Sequence, residues 1–288
     1  MANVTFDQLL DAGCHFGHLK RKWNPNMAPY IFMEQNGIHI IDLYKTMAKL
    51  DEAGGALKQI AKSGRKILFV GTKKQAKEIV AEAAKKASMP YVVERWPGGM
   101  LTNFATIRKA VKKMASIDKM LNDPSFTNIS KRERLQIKRE REKLEKNLGS
   151  IADLNKLPSA LFIVDIAKEH IAVDEARILG IPTFAIVDTN SDPKKVEFPI
   201  PGNDDAGKSI SLILQEVVNH INEGLEERKM SKDVEVSEEH EDEYDKDGNL
   251  IEPAVEDEDG SDKPKRKRVL SKATPKGGNR KTNIEVKD

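Results

Sequence analysis

Apolar residues cluster along this chain in short runs at 66–70, 91–93, 160–165 and 182–187, separated by stretches with helical spacing. The run Lys66-Ile-Leu-Phe-Val70 ends at Gly71-Thr72 and passes into a helical pattern over 73–87. Ala160-Leu-Phe-Ile-Val-Asp165 leads to another around 170–179, and Pro182-Thr-Phe-Ala-Ile-Val187 ends at Asp188-Thr189-Asn190. Continuous apolar strands alternating with helices predict an α/β body whose parallel sheet is covered on both faces. Upstream, the pattern predicts a short helix over 4–12 capped by Thr5 and an irregular segment set by Gly13, Gly17, Pro25 and Pro29. A short strand over 37–42 and a helix over 43–63, weakened at Gly54-Gly55, follow; a last helix over 205–225 closes the body.

Between 102 and 149 the pattern changes. Phe104, Ile107, Val111, Met114 and Leu121 fall at alternating three- and four-residue steps, with Asp118 breaking the row, as in a narrow coiled-coil seam. A helix over 102–121 would be about 30 Å long. Ser130 and Glu133 form a capping-box pattern that opens a second helix over 131–148, and Gly149 stops it. The prediction is an antiparallel coiled-coil hairpin inserted at 102–149 into a body made of 1–101 and 150–225.

Charge sharpens this division. Residues 107–148 hold thirteen Lys or Arg against six acids, a net of +7. Residues 226–262 carry −13 and 263–288 carry +8, within a chain of net +2. Residues 1–225 therefore also total +7, which leaves the α/β body close to neutral and concentrates positive potential on one projecting element, as phosphate-backbone binding needs. The alternative is a solvated coiled coil whose charges pair at i, i+4, as Arg141 and Glu145 can. Beyond 226 the apolar periodicity is lost, and the acidic-then-basic composition of 226–288 predicts a disordered tail. The single cysteine, Cys14, permits no intramolecular disulfide and fits a reducing compartment. With no signal-peptide pattern and no membrane-length apolar run, a soluble cytoplasmic protein is expected.

Three groups of residues invite chemistry. Gly71-Thr72-Lys73-Lys74 between strand and helix could cradle a phosphate, although neither a Walker A nor a G-x-G-x-x-G pattern is present. Asp165 and Asp188 close apolar strands and Asp204-Asp205 follow on a loop; with His15 or His18 they could gather a divalent ion, or they could serve as caps and loop hydrogen bonders. Arg95-Trp96, ahead of Pro97-Gly98-Gly99, and Arg21-Lys22, ahead of Trp23, combine base and aromatic in a way suited to a sugar-phosphate chain. The competing class is a doubly wound enzyme using Asp165, Asp188 and Asp204 around a metal and a phosphate substrate.

Taken together, several stretches resemble the bacterial small-subunit ribosomal protein two family. They include Ala12-Gly-Cys-His-Phe-Gly-His18, Gly37-Ile-His-Ile-Ile-Asp-Leu43, Arg95-Trp-Pro-Gly-Gly-Met-Leu-Thr-Asn-Phe104, Ala185-Ile-Val-Asp-Thr-Asn190 and Ile200-Pro-Gly-Asn-Asp-Asp-Ala206. The match runs in the family's order from about residue 5 to 225; Pro97 and the long tail depart from it. The resemblance implies a flavodoxin-like parallel sheet with helices on both faces and the coiled-coil hairpin inserted. It implies a structural constituent of the small ribosomal subunit, not an enzyme or a homo-oligomer, that contacts small-subunit ribosomal RNA and neighbouring proteins and helps dock the mRNA-binding small-subunit protein one. It implies no required cofactor, with zinc or another divalent ion possible at His18, Asp188, Asp204 and Asp205. The expected phosphate contacts are Arg108, Lys109, Lys112, Lys113, Lys131, Arg132, Lys138, Arg139 and Arg141 on the hairpin, with Arg21, Lys22, Arg95 and Trp96 near the body.

Overall fold

The computed structural model describes residues 4–122 and 130–241. One compact unit spans Met1–Glu238; the second, Glu239–Asp288, lies outside the described residues except for its first three. Five parallel strands, β4 (Ile67–Val70), β5 (Tyr91–Val92), β6 (Ala160–Val164), β7 (Thr183–Val187) and β8 (Phe198–Pro201), stand in the order β5-β4-β6-β7-β8. This is the flavodoxin-type order, with its topological switch between β4 and β6. Alternate residues of each strand serve opposite faces, as the pleat requires. Phe69, Phe162, Phe184 and Ile200 pack with α2 (Leu43–Lys62), α3 (Lys77–Lys86) and α7 (Gly207–Glu241) through Leu50, Val80, Ile213 and Val217. Leu68, Leu161, Ile163 and Ala185 pack on the other face with Val173 and Ala176 of α6 (His170–Ile178).

The N-terminal segment is more regular than its glycines and prolines suggest. After α1 (Phe6–Asp11), opened by a capping box between Thr5 and Gln8, come β1 (Phe16–Leu19), β2 (Ile31–Gln35) and β3 (Ile38–Ile41). They form a separate antiparallel sheet in the order β1-β3-β2. Asn36 and Gly37 both have positive φ, 53° and 76°, as a two-residue hairpin turn between β2 and β3 demands. This sheet docks on the C-terminal ends of the parallel strands. His18 N donates to Thr189 Oγ1 at 2.8 Å, Asn24 N to Thr189 O at 2.8 Å, and Asn203 N to Cys14 O at 3.2 Å. A Cβ on Gly17 would stand 2.6 Å from the Thr189 methyl, so glycine is what permits this approach.

Three expectations are corrected. The helix expected over 73–87 begins at Lys77, because 73–76 form a turn closed by Ala76 N to Lys73 O. β8 was not foreseen: Pro199 and Pro201 argue against a central strand, and the sheet tolerates them at its edge. The helix expected to end at 225, with disorder from 226, continues to Glu241. Lys58 pairs with Glu223 at 3.0 Å and Glu227 at 2.9 Å, and Lys62 with Glu227 at 3.1 Å, so charges that read as a solvated tail tie α7 to α2. The rest of the tail, 242–288, lies outside the described residues.

Between β5 and β6 stand α4 (Phe104–Asn122) and α5 (Lys131–Leu148), in the ranges expected of the inserted helices. Their root is held by one carboxylate. Glu175 on α6 accepts hydrogen bonds from Gly99 N (2.8 Å), Leu101 N (2.8 Å), Thr102 N (3.1 Å), Thr102 Oγ1 (3.3 Å) and Trp96 Nε1 (3.1 Å). Burial acts to raise its pKa, but the donors from Leu101, Thr102, Trp96 and Gly99 outweigh that and hold the carboxyl below the usual glutamate range. Its contribution is therefore present above the unfolded value of about 4.3 and lost as pH falls through the lower folded value. Glu175→Ala leaves several buried donors unpaired and is expected to cost roughly 3–4 kcal/mol near neutral pH. Chemical denaturation at pH 7 and at successively lower pH should show this cost shrinking as the wild-type carboxyl protonates; a pH-independent difference would contradict the assignment.

Candidate nucleic-acid interface and metal centre

α4 and α5 touch each other through an apolar strip and ion pairs. Val111, Ile117 and Leu148 are buried, and Ile107, Ala110 and Leu144 pack against the α6 side of the sheet core. The inward residue near the expected break is Ile117, while Asp118 turns to Arg141 Nε at 2.7 Å. Lys113 pairs with Glu140, and Arg141 also pairs with Glu145. Arg108 reaches back to the loop after α5, donating to Ala152 O at 3.1 Å, Leu154 O at 3.0 Å and Asn155 Oδ1 at 2.6 Å.

The expected phosphate contacts thus divide. Arg108, Lys113 and Arg141 are engaged within the protein. Lys109, Lys112, Lys131, Arg132, Lys138 and Arg139 are exposed and form no ion pair among the described residues. Arg95, Arg21 and Lys22 are exposed as well. Trp96 is different: it is 6% exposed with its indole N–H bound to Glu175, so it presents no ring for base stacking. Its position between Arg95 and two glycines suggested a surface aromatic; the alternative, an indole packed under the root of α4, is what the fold adopts.

At the C-terminal ends of the strands the acids do converge. His18 Nδ1 lies 2.9 Å from Asp188 Oδ2, and His18 Nε2 lies 3.4 Å from Asp205 Oδ2. Lys73 Nζ lies 2.7 Å from Asp204 Oδ1, 2.6 Å from Asp205 Oδ1 and 3.6 Å from Asp165 Oδ2. One ligand atom each from His18, Asp188 and Asp204 falls within 4.8 Å of the others. Asp204 is fully buried, and its Oδ2 has no hydrogen-bond partner among the described residues. Its burial, then the nearby charges of Asp188 and Asp165, push its carboxyl up to about 7 despite Lys73. A hydrogen bond with Asp188 is the main influence raising the pKa of His18; for Lys73, burial opposes the charge but Asp204 and Asp205 hold the pKa well up.

This arrangement bears on the enzyme reading. The crevice at the β4–β6 switch is where a doubly wound enzyme would place its phosphate. Here Thr72 N and Oγ1 both donate to Glu169, Lys168 Nζ donates to Thr72 O at 2.9 Å, and Lys73 is committed to carboxylates. A Cβ on Gly71 would meet Val80 at 2.9 Å, so packing against α3 already requires glycine there. Asp165, at φ 68°, spends its Oδ1 on Ala167 N and Lys168 N as a turn former. Cys14 and His15 are not members of the cluster.

A further surface was not singled out by the sequence. Phe32 and Tyr44 are 71% and 72% exposed, and they border a groove lined also by Phe6, Leu10, Met33 and Ile40. The contributing residues come from α1, β2, β3 and the start of α2, so only the folded hairpin at Asn36-Gly37 assembles the patch.

Comparison with known proteins agrees with this geometry. The family model "Ribosomal protein S2" matches residues 9–224. The chain is 72% identical over 232 residues to the small ribosomal subunit protein uS2 of Phocaeicola vulgatus, covering 81% of this chain and 83% of the relative. It is 70% identical over 232 residues to that of Bacteroides thetaiotaomicron (81% and 84%), and 66% identical over 240 residues to that of Flavobacterium johnsoniae (83% and 94%). All three are named as ribosomal proteins and none as an enzyme. With the family model matching three quarters of its length and relatives at this identity, the chain belongs to the ribosomal protein S2 family.

Proposed function

We propose that this chain is a structural constituent of the small ribosomal subunit, supporting translation, and that α4 and α5 form an antiparallel coiled-coil arm that binds small-subunit ribosomal RNA through its phosphates. The observation that carries this reading is the row of exposed cations on α4 and α5 that form no ion pair among the described residues, Lys109, Lys112, Lys131, Arg132, Lys138 and Arg139 with Lys119, Arg134 and Lys143, on helices whose root is fixed to the body by Glu175. Arg21, Lys22 and Arg95 extend the positive surface onto the body. Arg108, Lys113 and Arg141 hold the arm together and position it.

The apolar groove at Phe32 and Tyr44 supports docking of a neighbouring protein, for which the small-subunit protein one is the proposed occupant. An exposed aromatic patch of this kind marks a protein contact more often than a solvent face. His18, Asp188 and Asp204, with Asp205 beside them, suit a divalent ion such as zinc: one imidazole and two carboxylates converge, and the buried Asp204 Oδ2 lacks any other partner. A bound ion would supply a cross-link between β1 and the ends of the parallel strands. Lys73 would continue to hold Asp204 and Asp205 in place.

Changing Lys109, Lys112, Lys131, Arg132, Lys138 and Arg139 to Gln should reduce the salt slope of binding to deproteinised small-subunit RNA by several units, since each lost phosphate contact removes about 0.7–0.9 from it. An unchanged slope in a folded variant, followed by filter binding across a salt series, would refute the arm reading. Phe32→Ser should leave stability within about 0.5 kcal/mol, because the ring is mostly exposed. It should also lower retention of the small-subunit protein one on subunits carrying it; equal retention would remove the docking assignment. For the cluster, Asp204 holds its proton more tightly when folded than at its unfolded value of about 3.9. Its stabilising contribution is therefore full at low pH and fades as pH rises through about 7. A divalent ion must displace that proton, so zinc should raise the melting temperature more at pH 8 than at pH 6, and not at all in Asp204→Asn. An equal rise in the variant would place the ion elsewhere.

A further inference from the structure

At the opposite, N-terminal end of the parallel sheet the surface has another character. Two adjoining depressions, of about 360 and 370 Å³, share Lys66, Asp153 and Leu154 as a common wall. Lys85, from the end of α3, borders one; Arg65 and Lys156 border the other. All four cations are exposed, and none has an ion pair among the described residues. Lys66 Nζ donates to Ser88 O at 2.9 Å, which anchors it on the rim while leaving its charge uncompensated. Arg228 of α7 sets its guanidinium against Gly64 on the far edge, where a Cβ would meet it at 2.0 Å. Asp153 is the one acid lining either depression.

Convergence is what gives this groove meaning. Some cations elsewhere on the body are matched with carboxylates, such as Lys20 with Glu34, Lys49 with Glu52, Lys58 with Glu223 and Glu227, and Lys77 with Glu94, while others, such as Arg21, Lys22 and Arg95, stand exposed without lining a shared depression among those described. Here four converge on one concave surface without a counter-charge, and each is long enough to reach a ligand lying in it. Four uncompensated cations along a trough suit a linear polyanion better than a point ligand, since a phosphodiester chain presents one charge per nucleotide along its length. The groove is also fixed in direction relative to the arm. Its wall at 152–155 is gripped by Arg108 of α4, and Ser150 Oγ donates to Tyr91 O beneath it.

We propose that the groove framed by Arg65, Lys66, Lys85 and Lys156 is a second RNA-backbone site on the body, separate from the arm and held in register with it. The inference extends the RNA-binding reading to a new surface and can fail while the arm reading stands. The test uses the full chain and deproteinised small-subunit ribosomal RNA, comparing wild type, the groove variant Arg65→Gln/Lys66→Gln/Lys85→Gln/Lys156→Gln, the six-site arm variant, and the two combined. The groove variant should lower the slope of log K against log salt by about 3, and the combined variant should lose the sum of the two separate effects. A groove variant with wild-type melting temperature and an unchanged slope overturns the proposal. So does one that binds naked RNA normally yet fails to enter subunits, because the groove would then face a protein. Should the fourfold variant not fold, lysine acetylation of the wild-type chain gives the same answer. Lys66, Lys85 and Lys156 should be protected several-fold by the naked RNA, and equal modification with and without it would sink the idea.

Discussion

A carboxylate taken out of water is tolerated only when its lone pairs are met, and Glu175 meets that condition with three backbone N–H groups, an indole and a hydroxyl drawn from a single short segment. The segment is the root of α4. Because its donors are mostly main-chain, the constraint acts on the path of the backbone and not merely on side-chain packing. Gly99, at φ 82°, supplies the turn that lets these donors face one acceptor. The charges on α4 and α5 can meet a partner of fixed shape only if the helices leave the body at a fixed angle, and this carboxylate sets that angle. Arg108 performs the complementary task at the other end of the insertion, where α5 returns to the sheet.

Charge on this protein is distributed by end and by face. The C-terminal ends of the strands hold an ion network that is nearly self-contained: Lys73 spans three carboxylates and His18 bridges two. That closure engages Thr72 and Lys73, the groups that would meet a phosphate in a flavodoxin-type crevice, with carboxylates of the protein itself. Exposed cations without an ion pair among the described residues lie on α4 and α5, at the opposite end of the sheet, and on the body at Arg21, Lys22 and Arg95.

Much of this was legible in the sequence, for identifiable reasons. Continuous apolar runs such as 66–70 and 160–165 predict buried parallel strands because both faces of those strands are covered, and β4 and β6 are buried throughout. The capping box at Thr5 and the N-cap at Ser130 mark helix starts through local hydrogen bonds that need no tertiary context. What was less legible depended on partners distant in sequence. Nothing local separates Trp96 as a stacking ring from Trp96 as a donor to a residue 79 positions on. Likewise, Arg108 reads as one more surface base until the carbonyls of Ala152 and Leu154 are in view. Of the antiparallel sheet only the strand over 37–42 is legible: Gly13, Gly17, Pro25 and Pro29 read as an irregular segment, although Asn36-Gly37 marks a hairpin turn. The strand-end positions of Asp165 and Asp188 raised a convergence with Asp204 and either His15 or His18, and the resemblance singled out His18; apolar pattern alone gives only that each acid follows a strand or lies in a loop.

The prolines of β8 have one more consequence. Even-numbered residues of this stretch turn their N–H toward β7, as Gly202 N does to Val187 O at 3.1 Å, so positions 199 and 201 face away from the sheet. Both are proline, and the outer border of the sheet therefore lacks donors where an incoming strand would seek them. At the far border β5 is only two residues long. Neither border of the parallel sheet offers an incoming strand a long run of free donors, which disfavours edge-to-edge pairing there.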